Sequence, residues 1–143
     1  LKYDADVCPL LYDLYEQGRY GRKTDHGYYD YSDQDEPDIP ESAGRDFDPM
    51  AIWAPMVNEA AKMIQHDVET AEDIDTGAEL GGNWPMGPLE KSDAVGAEAA
   101  ARKCVELAEI LNQHADPEYF NKVAELLPCD LLIEKAKTND TFY

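Results

Sequence analysis

The fold class is predicted most clearly from one stretch, Ile52-Trp-Ala-Pro-Met-Val-Asn-Glu-Ala-Ala-Lys-Met-Ile-Gln-His66. Its apolar residues recur at spacings of three and four, so they share one face of a helix that should end near His66. They are Ile52, Met56, Ala60, Met63 and Ile64. After residue 50, no alternating apolar and polar run lasts more than a few residues. We therefore predict an all-α protein.

Helix signals also follow this stretch. Thr70-Ala-Glu-Asp73 has the form of a capping box, in which a hydroxyl and a carboxylate satisfy free backbone amides at a helix start. The helix after it should run to a stop at Gly81-Gly82. It should carry Ile74, Ala78 and Leu80 on its apolar face. Pro88 suits the first turn of a short helix that includes Leu89 and ends at Gly96.

Two more helices are predicted toward the end of the chain. Residues 97–114 are alanine-rich. Their predicted apolar stripe consists of Ala101, Cys104, Val105, Ala108 and Leu111. Asp116-Pro117-Glu118 supplies a capping acid, a first-turn proline and an acid that matches the helix dipole. The helix that it starts should carry Phe120, Val123 and Leu127.

The N-terminal part of the chain has a different organisation. Residues 32–49 contain three prolines, seven acids and only two large apolar side chains, which predicts a linker. Before it, Asp6 can cap a helix that ends at Gly18. Leu10, Leu11 and Leu14 share one face of that helix. Residues 1–31 are too few to bury a core alone, so we expect them to end a unit that begins elsewhere.

A short internal repeat supports this division. Lys23-Thr24-Asp25-His26-Gly27-Tyr28-Tyr29 and Lys137-Thr138-Asn139-Asp140-Thr141-Phe142-Tyr143 share Lys-Thr, three residues, an aromatic residue and Tyr. Each follows a leucine pair, Leu10-Leu11 or Leu131-Leu132. The separation of about 114 residues fits a duplicated helical domain of roughly 100 residues plus a linker. The second tail lacks a counterpart of residues 17–22, so its closing turn should differ.

The charge of the chain limits its partners. Its 143 residues carry 31 acidic and 12 basic side chains, for a formal net charge of -19. Such a surface repels phosphate backbones and anionic lipids, so we expect neither nucleic acid nor a membrane as a partner. Hydrophobic residues make up 43% of the chain, which is enough for a packed core. No apolar run is long enough to span a bilayer, so a soluble domain is expected.

The cysteines and the first residues favour a cytoplasmic protein. Cys8, Cys104 and Cys129 form no CxxC pair, and their odd number cannot close a complete set of disulfides. A reducing compartment follows from this pattern. Residues 1–6 lack the basic and apolar regions of a signal peptide.

No catalytic, cofactor-binding or metal-binding constellation is expected in the chain. The histidines are scattered and no acid is spaced to complete a zinc site with them: His26, His66 and His114. Asp73 and Asp75 point to different sides of a helix, which disfavours paired-carboxylate chemistry. The serines stand in no GxSxG setting: Ser32, Ser42 and Ser92.

Two glycine patterns are weak matches to phosphate-binding loops. In Gly18-Arg-Tyr-Gly21-Arg-Lys23-Thr24, glycines precede Lys-Thr, but the spacing is wrong and no strand precedes the loop. We interpret this segment as a helix stop and a turn. The later glycines have the wrong intervals for GxGxxG: Gly77, Gly81, Gly82 and Gly87. The chain should therefore bind no dinucleotide by itself.

Strings in a fixed order resemble the helical C-terminal domain of 3-hydroxyacyl-CoA dehydrogenases. They are Ala54-Pro-Met-Val-Asn-Glu-Ala60, Ala71-Glu-Asp-Ile-Asp75, Asn83-Trp-Pro-Met-Gly-Pro-Leu-Glu90 and Asp93-Ala-Val-Gly96. Residues 18–31, Gly-Arg-Tyr-Gly-Arg-Lys-Thr-Asp-His-Gly-Tyr-Tyr-Asp-Tyr, resemble the segment that ends such a domain. The resemblance implies that residues 1–31 close one copy, 32–49 link, and 50–143 form a second copy, a multi-helix bundle.

The resemblance also implies a larger enzyme. In this family an N-terminal Rossmann domain binds NAD and carries the catalytic His and Glu, while the helical domain closes over the acyl-CoA and makes the dimer contact. The chain would be the C-terminal region of an NAD-dependent dehydrogenase of fatty-acid β-oxidation, inactive alone. Its partners would be the Rossmann domain, the first helical copy, the acyl-CoA substrate and a possible second subunit.

Several alternatives stay open at this point. The chain could be a non-catalytic helical interaction module derived from the same family. It could also belong to a related 3-hydroxybutyryl-CoA or hydroxy-acid dehydrogenase, which differs in acyl chain length. An added enoyl-CoA hydratase module is compatible with the sequence. The presence of GxGxxG in a longer native chain separates the dehydrogenases from the interaction module.

One position departs from the family pattern. Members have Asn-Arg five residues before the proline that corresponds to Pro55, and that Asn contributes to the active site. Here the two residues are Met50-Ala51. A thioether cannot donate the hydrogen bond of an amide, so this copy should have kept the packing and lost the chemistry. Trp53 and Trp84 are expected in a core or interface, not at a ligand.

Acidic residues along the whole chain predict a protein adapted to molar salt, with an ordinary acidic surface as the alternative. We expect the midpoint of thermal unfolding to rise steeply between low salt and molar KCl. Salt screens the repulsion among 31 carboxylates that face only 12 cations. Thermal melts across a KCl series measure this, and an unchanged midpoint would favour an ordinary acidic protein.

Overall fold

The computed structural model describes residues 9–32, 39, 41–114 and 124–143. Their secondary structure is helical, and the only β features among them are isolated bridges of His26 with Gly21 and with Asp30. The helices are α1 Pro9–Glu16, α2 Met50–Gln65, α3 Ala71–Gly82, α4 Pro88–Val95, α5 Ala97–His114 and α6 Asp130–Thr138, with a 3-10 turn at Arg22–Thr24. Residues 124–126 are also helical. The all-α prediction is confirmed.

The chain divides into two compact units. Unit 1 is Leu1–Asp46, with α1 and the 3-10 turn, and unit 2 is Phe47–Tyr143, with α2 to α6. The division into a tail (1–31), a linker (32–49) and a second domain (50–143) stays a prediction. Among the described residues, no helix is long and apolar enough to cross a membrane.

The core of unit 2 lies where α2, α5 and α6 meet. It consists of one large side chain, Leu132 of α6, among small residues of α2 and α5. The cluster members are Ala54, Val57, Ala61, Ala97, Ala100, Cys104 and Leu132. Alanine side chains let helix backbones approach closely, and the fully buried Leu132 fills the space that remains.

A buried amide joins α2 to the segment before α6. Asn58 is 1% exposed. Its Nδ2 donates to the carbonyl oxygen of Leu127 at 2.9 Å, and its Oδ1 accepts from the backbone N–H of Cys129 at 2.8 Å. A buried amide with its polar atoms bonded stabilises one register of the chain, because leaving either atom unpaired would cost free energy. The bonds of Asn58 therefore fix where α6 starts relative to α2.

The predicted apolar faces of α2, α3 and α5 are partly wrong. On α2, Ile52 and Met63 are 46% and 37% exposed, and the core is formed by Ala54, Val57 and Ala61. Leu80 is 83% exposed, and Val105 and Leu111 are 38% and 40% exposed. The buried residues of α5 are Ala97, Ala100, Cys104 and Ala108. The physical reason is the close packing of α5 on α2, which selects the line of small side chains and turns the larger Val105 and Leu111 outward. A prediction from hydrophobicity alone places the larger residues on the buried face of the helix.

The helix ends follow the sequence signals, with one exception. Pro88 begins α4, and Gly96 ends it with a φ of 89°. Thr70 Oγ1 accepts from the N–H of Asp73 at 3.2 Å, but the Asp73 carboxylate accepts the Thr70 hydroxyl at 2.7 Å instead of reaching the Thr70 amide. That amide donates to Glu69 Oε1 at 3.1 Å. The capping box is thus half wrong, since aspartate is one methylene shorter than the usual glutamate.

Some of the remaining helix predictions can be compared with the structure, and others concern residues outside the described ranges. Helix α3 ends at Gly82, within the predicted stop, and the next residue, Asn83, caps it with a left-handed φ of 53°. Gly18 ends α1 with a φ of 70°, as predicted. On α1, Leu14 is buried, whereas Leu10 and Leu11 are exposed. Asp6, Cys8 and the predicted helix start at Asp116-Pro117-Glu118, with Phe120 and Val123, lie outside the described residues.

We expect Leu132→Ala to lower the free energy of unfolding by about 2–5 kcal/mol, because it removes the largest side chain from the alanine-rich core. Denaturant unfolding measures the change. Leu80→Ala is the matched control: its residue is 83% exposed, so the same truncation should shift the free energy by less than about 0.5 kcal/mol. Equal effects of the two variants would contradict the assignment of the core.

Candidate functional site

The turn between α3 and α4 is organised by Asp75, which lies within α3 and is 4% exposed. Its Oδ1 accepts from the backbone N–H of Leu89 at 2.9 Å, and its Oδ2 accepts from that of Glu90 at 2.7 Å. These amides belong to the first turn of α4, where no intrahelical acceptor exists. Asp75 therefore caps the N-terminus of another helix and places negative charge at the positive end of its dipole.

Gly87 makes this cap possible. A Cβ at position 87 would overlap the carboxyl carbon of Asp75. The next residue, Pro88, has no N–H, so it adds no donor that the cap must satisfy. The strings at residues 71–75 and 83–90 are therefore one structural unit, in which an acid of the first string caps the helix that the second string begins.

Phe142 and Tyr143 bond to the region of the α3–α4 turn, which we call the α3–α4 corner. The Tyr143 hydroxyl donates to Asp75 Oδ2 at 2.9 Å. The Asp93 carboxylate accepts the backbone N–H of Phe142 at 2.9 Å and that of Tyr143 at 3.2 Å. Although Tyr143 is 62% exposed, desolvation of its hydroxyl end, followed by the hydrogen bond to Asp75, raises its pKa to about 12. The hydroxyl therefore stays protonated, and able to donate, at neutral pH.

Sequence reasoning missed the roles of Asp75 and Asp93. It treated Asp75 only as half of a carboxylate pair with Asp73, which is exposed at the start of α3. A signal was present: an acid after an apolar residue within a helix, followed by Gly-Pro at the start of the next helix. That signal becomes specific only when the two helices are known to be adjacent.

Two tryptophans pack together beside this corner, as expected for core or interface residues. The rings of Trp53 and Trp84 lie 5.0 Å apart in an edge-to-face arrangement, and Trp53 is 8% exposed. The ammonium of Lys91 lies 5.7 Å from the Trp53 ring centroid. A Cβ on Gly82 would overlap the Trp84 ring, so this glycine also permits a close approach.

The start of α2 is held by ionic contacts, and Met50 contributes packing there. The Met50 N–H donates to Asp48 Oδ1 at 2.9 Å, while its side chain packs against the core cluster. The Lys103 ammonium lies 2.7 Å from carboxylate oxygens of both Asp48 and Glu106. The hydrogen bond from Lys103 lowers the pKa of Asp48 and correspondingly raises that of Lys103. The Met50 side chain thus belongs to the hydrophobic core of unit 2.

The remaining candidate residues lie on separate elements of each unit. His26 lies beside Asp30 in unit 1, at 3.3 Å, while His66 caps the end of α2 and His114 ends α5. Ser92 is buried without a hydrogen-bond partner, and Ser32 donates to Asp30. Ser42 lies in the turn of residues 41–46. Within residues 9–32, 39, 41–114 and 124–143, no cluster of His, Cys, Asp or Glu could hold a metal ion.

The cysteines of unit 2 are free thiols. The Cys104 Sγ donates to the carbonyl oxygen of Ala54 at 3.3 Å. Burial raises the pKa of the Cys104 thiol to about 11, so it stays protonated and is a packing residue, not a nucleophile.

The Lys-Thr segment of unit 1 is a helix stop and a turn, as interpreted from the sequence. Thr24 Oγ1 accepts from the N–H of Tyr20 at 2.9 Å and donates to the carbonyl oxygen of His26 at 3.0 Å. These bonds occupy the hydroxyl within its own loop.

An apolar groove lies on unit 2 between α2, α3 and the start of α4. Its volume is about 360 Å³. The lining residues are Pro55, Met56, Glu59, Ala60, Met63, Ile74 and Pro88. Because Pro55, Met56 and Met63 lie opposite the core residues Ala54, Val57 and Ala61, α2 presents apolar side chains on two faces.

Comparison with known proteins places these features in one family. Residues 50–134 match the family model described as 3-hydroxyacyl-CoA dehydrogenase, C-terminal domain. The 3-hydroxyadipyl-CoA dehydrogenase of Escherichia coli is 36% identical over 94 residues, which cover 64% of this chain and 18% of the relative. The fatty acid oxidation complex subunit alpha of Vibrio cholerae is 29% identical over 152 residues, which cover 94% of this chain and 20% of the relative.

A solved structure shares the fold. The crystal structure of FadB2 from M. tuberculosis superposes with a TM-score of 0.50 and 24% identity, over 65% of this chain and 32% of that chain. The chain spans about a fifth of the length of the two curated relatives.

We expect Gly87→Ala to destabilise unit 2 by on the order of 1–3 kcal/mol, because the methyl group displaces the Asp75 carboxylate and leaves the first amides of α4 without an acceptor. Asp75→Asn should act in the same direction, since its amide group would face an N–H donor. Denaturant unfolding measures both changes.

Gly81→Ala is the matched control for the glycine variant. A Cβ there meets nothing within 4 Å, and residue 81 is helical. Alanine should therefore stabilise unit 2 by about 0.5–1 kcal/mol. A Gly87→Ala protein as stable as the unsubstituted chain would show that the cap contributes nothing.

Proposed function

Since the chain belongs to the 3-hydroxyacyl-CoA dehydrogenase family through the C-terminal domain at residues 50–134, we propose that it is part of a larger NAD-dependent oxidoreductase of fatty-acid oxidation. The reaction of the whole protein would be the transfer of a hydride from the 3-hydroxyl carbon of an acyl-CoA to NAD. The observation that carries the proposal is the family match over the helical bundle. The names of the E. coli and V. cholerae relatives support it.

We propose that this copy of the domain is structural. At the position where the family resemblance implies a catalytic amide, Met50 packs against the core cluster. The V. cholerae relative aligns with 94% of the chain, across both units. This extent supports two consecutive helical copies in one protein, with unit 1 ending the first copy and unit 2 forming the second.

The residues of this chain do not fit NAD themselves. A dinucleotide site needs a glycine-rich turn between a strand and a helix. Here Gly82 is the last residue of α3 and Gly87 directly precedes α4, and they permit the close approaches of Trp84 and Asp75. We therefore assign NAD, and the acid-base residues of the reaction, to a Rossmann domain outside this chain. The free thiols of Cys104 and Cys129 support a cytoplasmic location for the whole protein.

A helical interaction module without an enzyme is the second candidate. The uncovered groove beside Met56 and Met63 favours it, because an apolar surface of this kind suits a partner protein. The gene decides between the candidates: a Rossmann domain encoded upstream supports the dehydrogenase, and its absence supports the module.

In the longer enzyme, Met50→Asn should leave turnover nearly unchanged, because residue 50 faces the core of a structural copy. Replacing the Asn at the matching position of the first copy by Ala should instead cost on the order of 2–4 kcal/mol of transition-state stabilisation, if it is a preorganised hydrogen-bond donor. Steady-state kinetics on both variants measure this difference.

The chain of residues 1–143 is the control for cofactor binding. It should neither bind NAD measurably in calorimetry nor oxidise 3-hydroxyacyl-CoA, and micromolar NAD affinity would refute the assignment of NAD to another domain. A large loss of turnover in a well-folded Met50→Asn enzyme would show that this copy faces an active site.

A further inference from the structure

The segment of residues 67–83, which we call the α3 lid, consists of α3 and the turns on either side of it. Asp75 is its one buried residue. By contrast, α2 has six buried residues, and the shorter α4 has three. Helices that bury few side chains open at a lower free energy than the core beside them. The α3 lid is therefore weakly anchored to the rest of unit 2.

Helix α3 is also weak in itself. Three of its twelve residues are glycines, Gly77, Gly81 and Gly82. Glycine loses more backbone entropy than any other residue when it enters a helix. Isolated helices shorter than about 12 to 15 residues are marginal in water even when they consist of good helix formers. When α3 leaves its neighbours, it therefore unfolds.

A few specific contacts hold the lid closed. The Asp75 carboxylate accepts the first amides of α4, and the Tyr143 hydroxyl donates to that carboxylate and lies 3.3 Å from the carbonyl oxygen of Ala71. Ile74 lines the apolar groove together with residues of α2 and α4. Opening of the lid breaks these contacts together, because all of them involve residues 71–75 of α3.

The charge of the lid opposes its closure. The lid carries six acids and no base: Asp67, Glu69, Glu72, Asp73, Asp75 and Glu79. Four carboxylates line one cavity of about 360 Å³ between α3 and α4, namely those of Glu72, Asp75, Glu79 and Glu90. Within the described ranges, no ion pair includes an acid of the lid. The repulsion among these carboxylates is therefore not offset by an ion pair in that part of the chain.

Glu79 is in an unfavourable position in two respects. It lies four residues after Asp75, where like charges on a helix repel each other. It also stands in the last turn of α3, near the negative end of the helix dipole, and that turn has no basic residue. Salt screens both effects, because the Debye length falls from about 10 Å at 0.1 M to about 3 Å at 1 M ionic strength. The free energy of closing the lid therefore depends on ionic strength.

We propose that the α3 lid is a conformational device controlled by ionic strength: its open state gains population in low salt, and molar salt closes it. Opening removes Ile74 from the wall of the apolar groove and exposes the groove face of α2, with Pro55 and Met56, to water. The core around Leu132 stays folded meanwhile, which separates this change from global unfolding. The inference goes beyond the proposed function and does not rest on it.

Native-state hydrogen exchange of the chain of residues 1–143 in a urea series tests whether α3 opens by itself. After correction for the rates of unstructured peptides, amides of residues 74–82 should exchange roughly 100-fold faster than the core amides of α2. Their rates should also rise less steeply with urea, because opening of the lid exposes less surface than global unfolding. A common rate and slope for both helices would overturn the lid, and so would a slope of zero for α3, which indicates fraying beside a closed groove.

The same measurement in about 0.1 M and about 2 M KCl tests the control by salt. The exchange of residues 74–82 should slow by about tenfold in the higher salt, because screening weakens the repulsion that favours opening. A peptide of residues 67–83, measured in both solutions, corrects for the direct effect of salt on exchange. An unchanged corrected rate would overturn the control by ionic strength.

Removal of one charge distinguishes electrostatic control from other effects of salt. In the lower salt, Glu79→Gln should slow the exchange of residues 74–82 by about threefold, and it should reduce the response to KCl. Glu109→Gln, the same substitution at an exposed position of α5, is the matched control and should change neither, since α5 is folded in both states of the lid. Equal effects of the two variants would show that α3 responds to the net charge of the whole chain and not to its own acids. That result would overturn the proposal, as would an unaltered rate in Glu79→Gln.

Discussion

The buried carboxylate of Asp75 is the contact on which the corner of unit 2 depends. It accepts the first amides of α4, a position it can occupy only because residue 87 has no side chain. The hydroxyl of Tyr143 reaches the same carboxylate, so one charged group joins α3, α4 and the end of the chain. A buried carboxylate is costly unless its oxygens are bonded, and these three donors meet that cost.

The second element on which the fold depends is α2, whose faces make different packing contacts. Its small residues form the core with α5 and α6, and Asn58 bonds the segment before α6. Trp53 packs with Trp84 at the α3–α4 corner. The outward face, with Met56 and Met63, remains apolar and lines the groove. Helix α2 therefore presents apolar side chains both to the core and to the groove.

The bundle of unit 2 is held together by a small set of contacts. These contacts are caps, close packing of alanines and one buried amide, and none of them needs a polar side chain at position 50. A methionine at position 50 adds apolar contact to the same core.

The helices and most of their ends could be predicted from the sequence, because they depend on neighbouring residues: Pro88 at a first turn, Gly18 and Gly96 at stops, and helical periodicity from residue 52 onward. Tertiary structure decided which face of each helix is buried. Val105 and Leu111 are exposed because the close packing of α5 on α2 selects small side chains over large ones. It also decided the role of Asp75, since a carboxylate caps a helix fourteen residues away only when folding brings the two helices together.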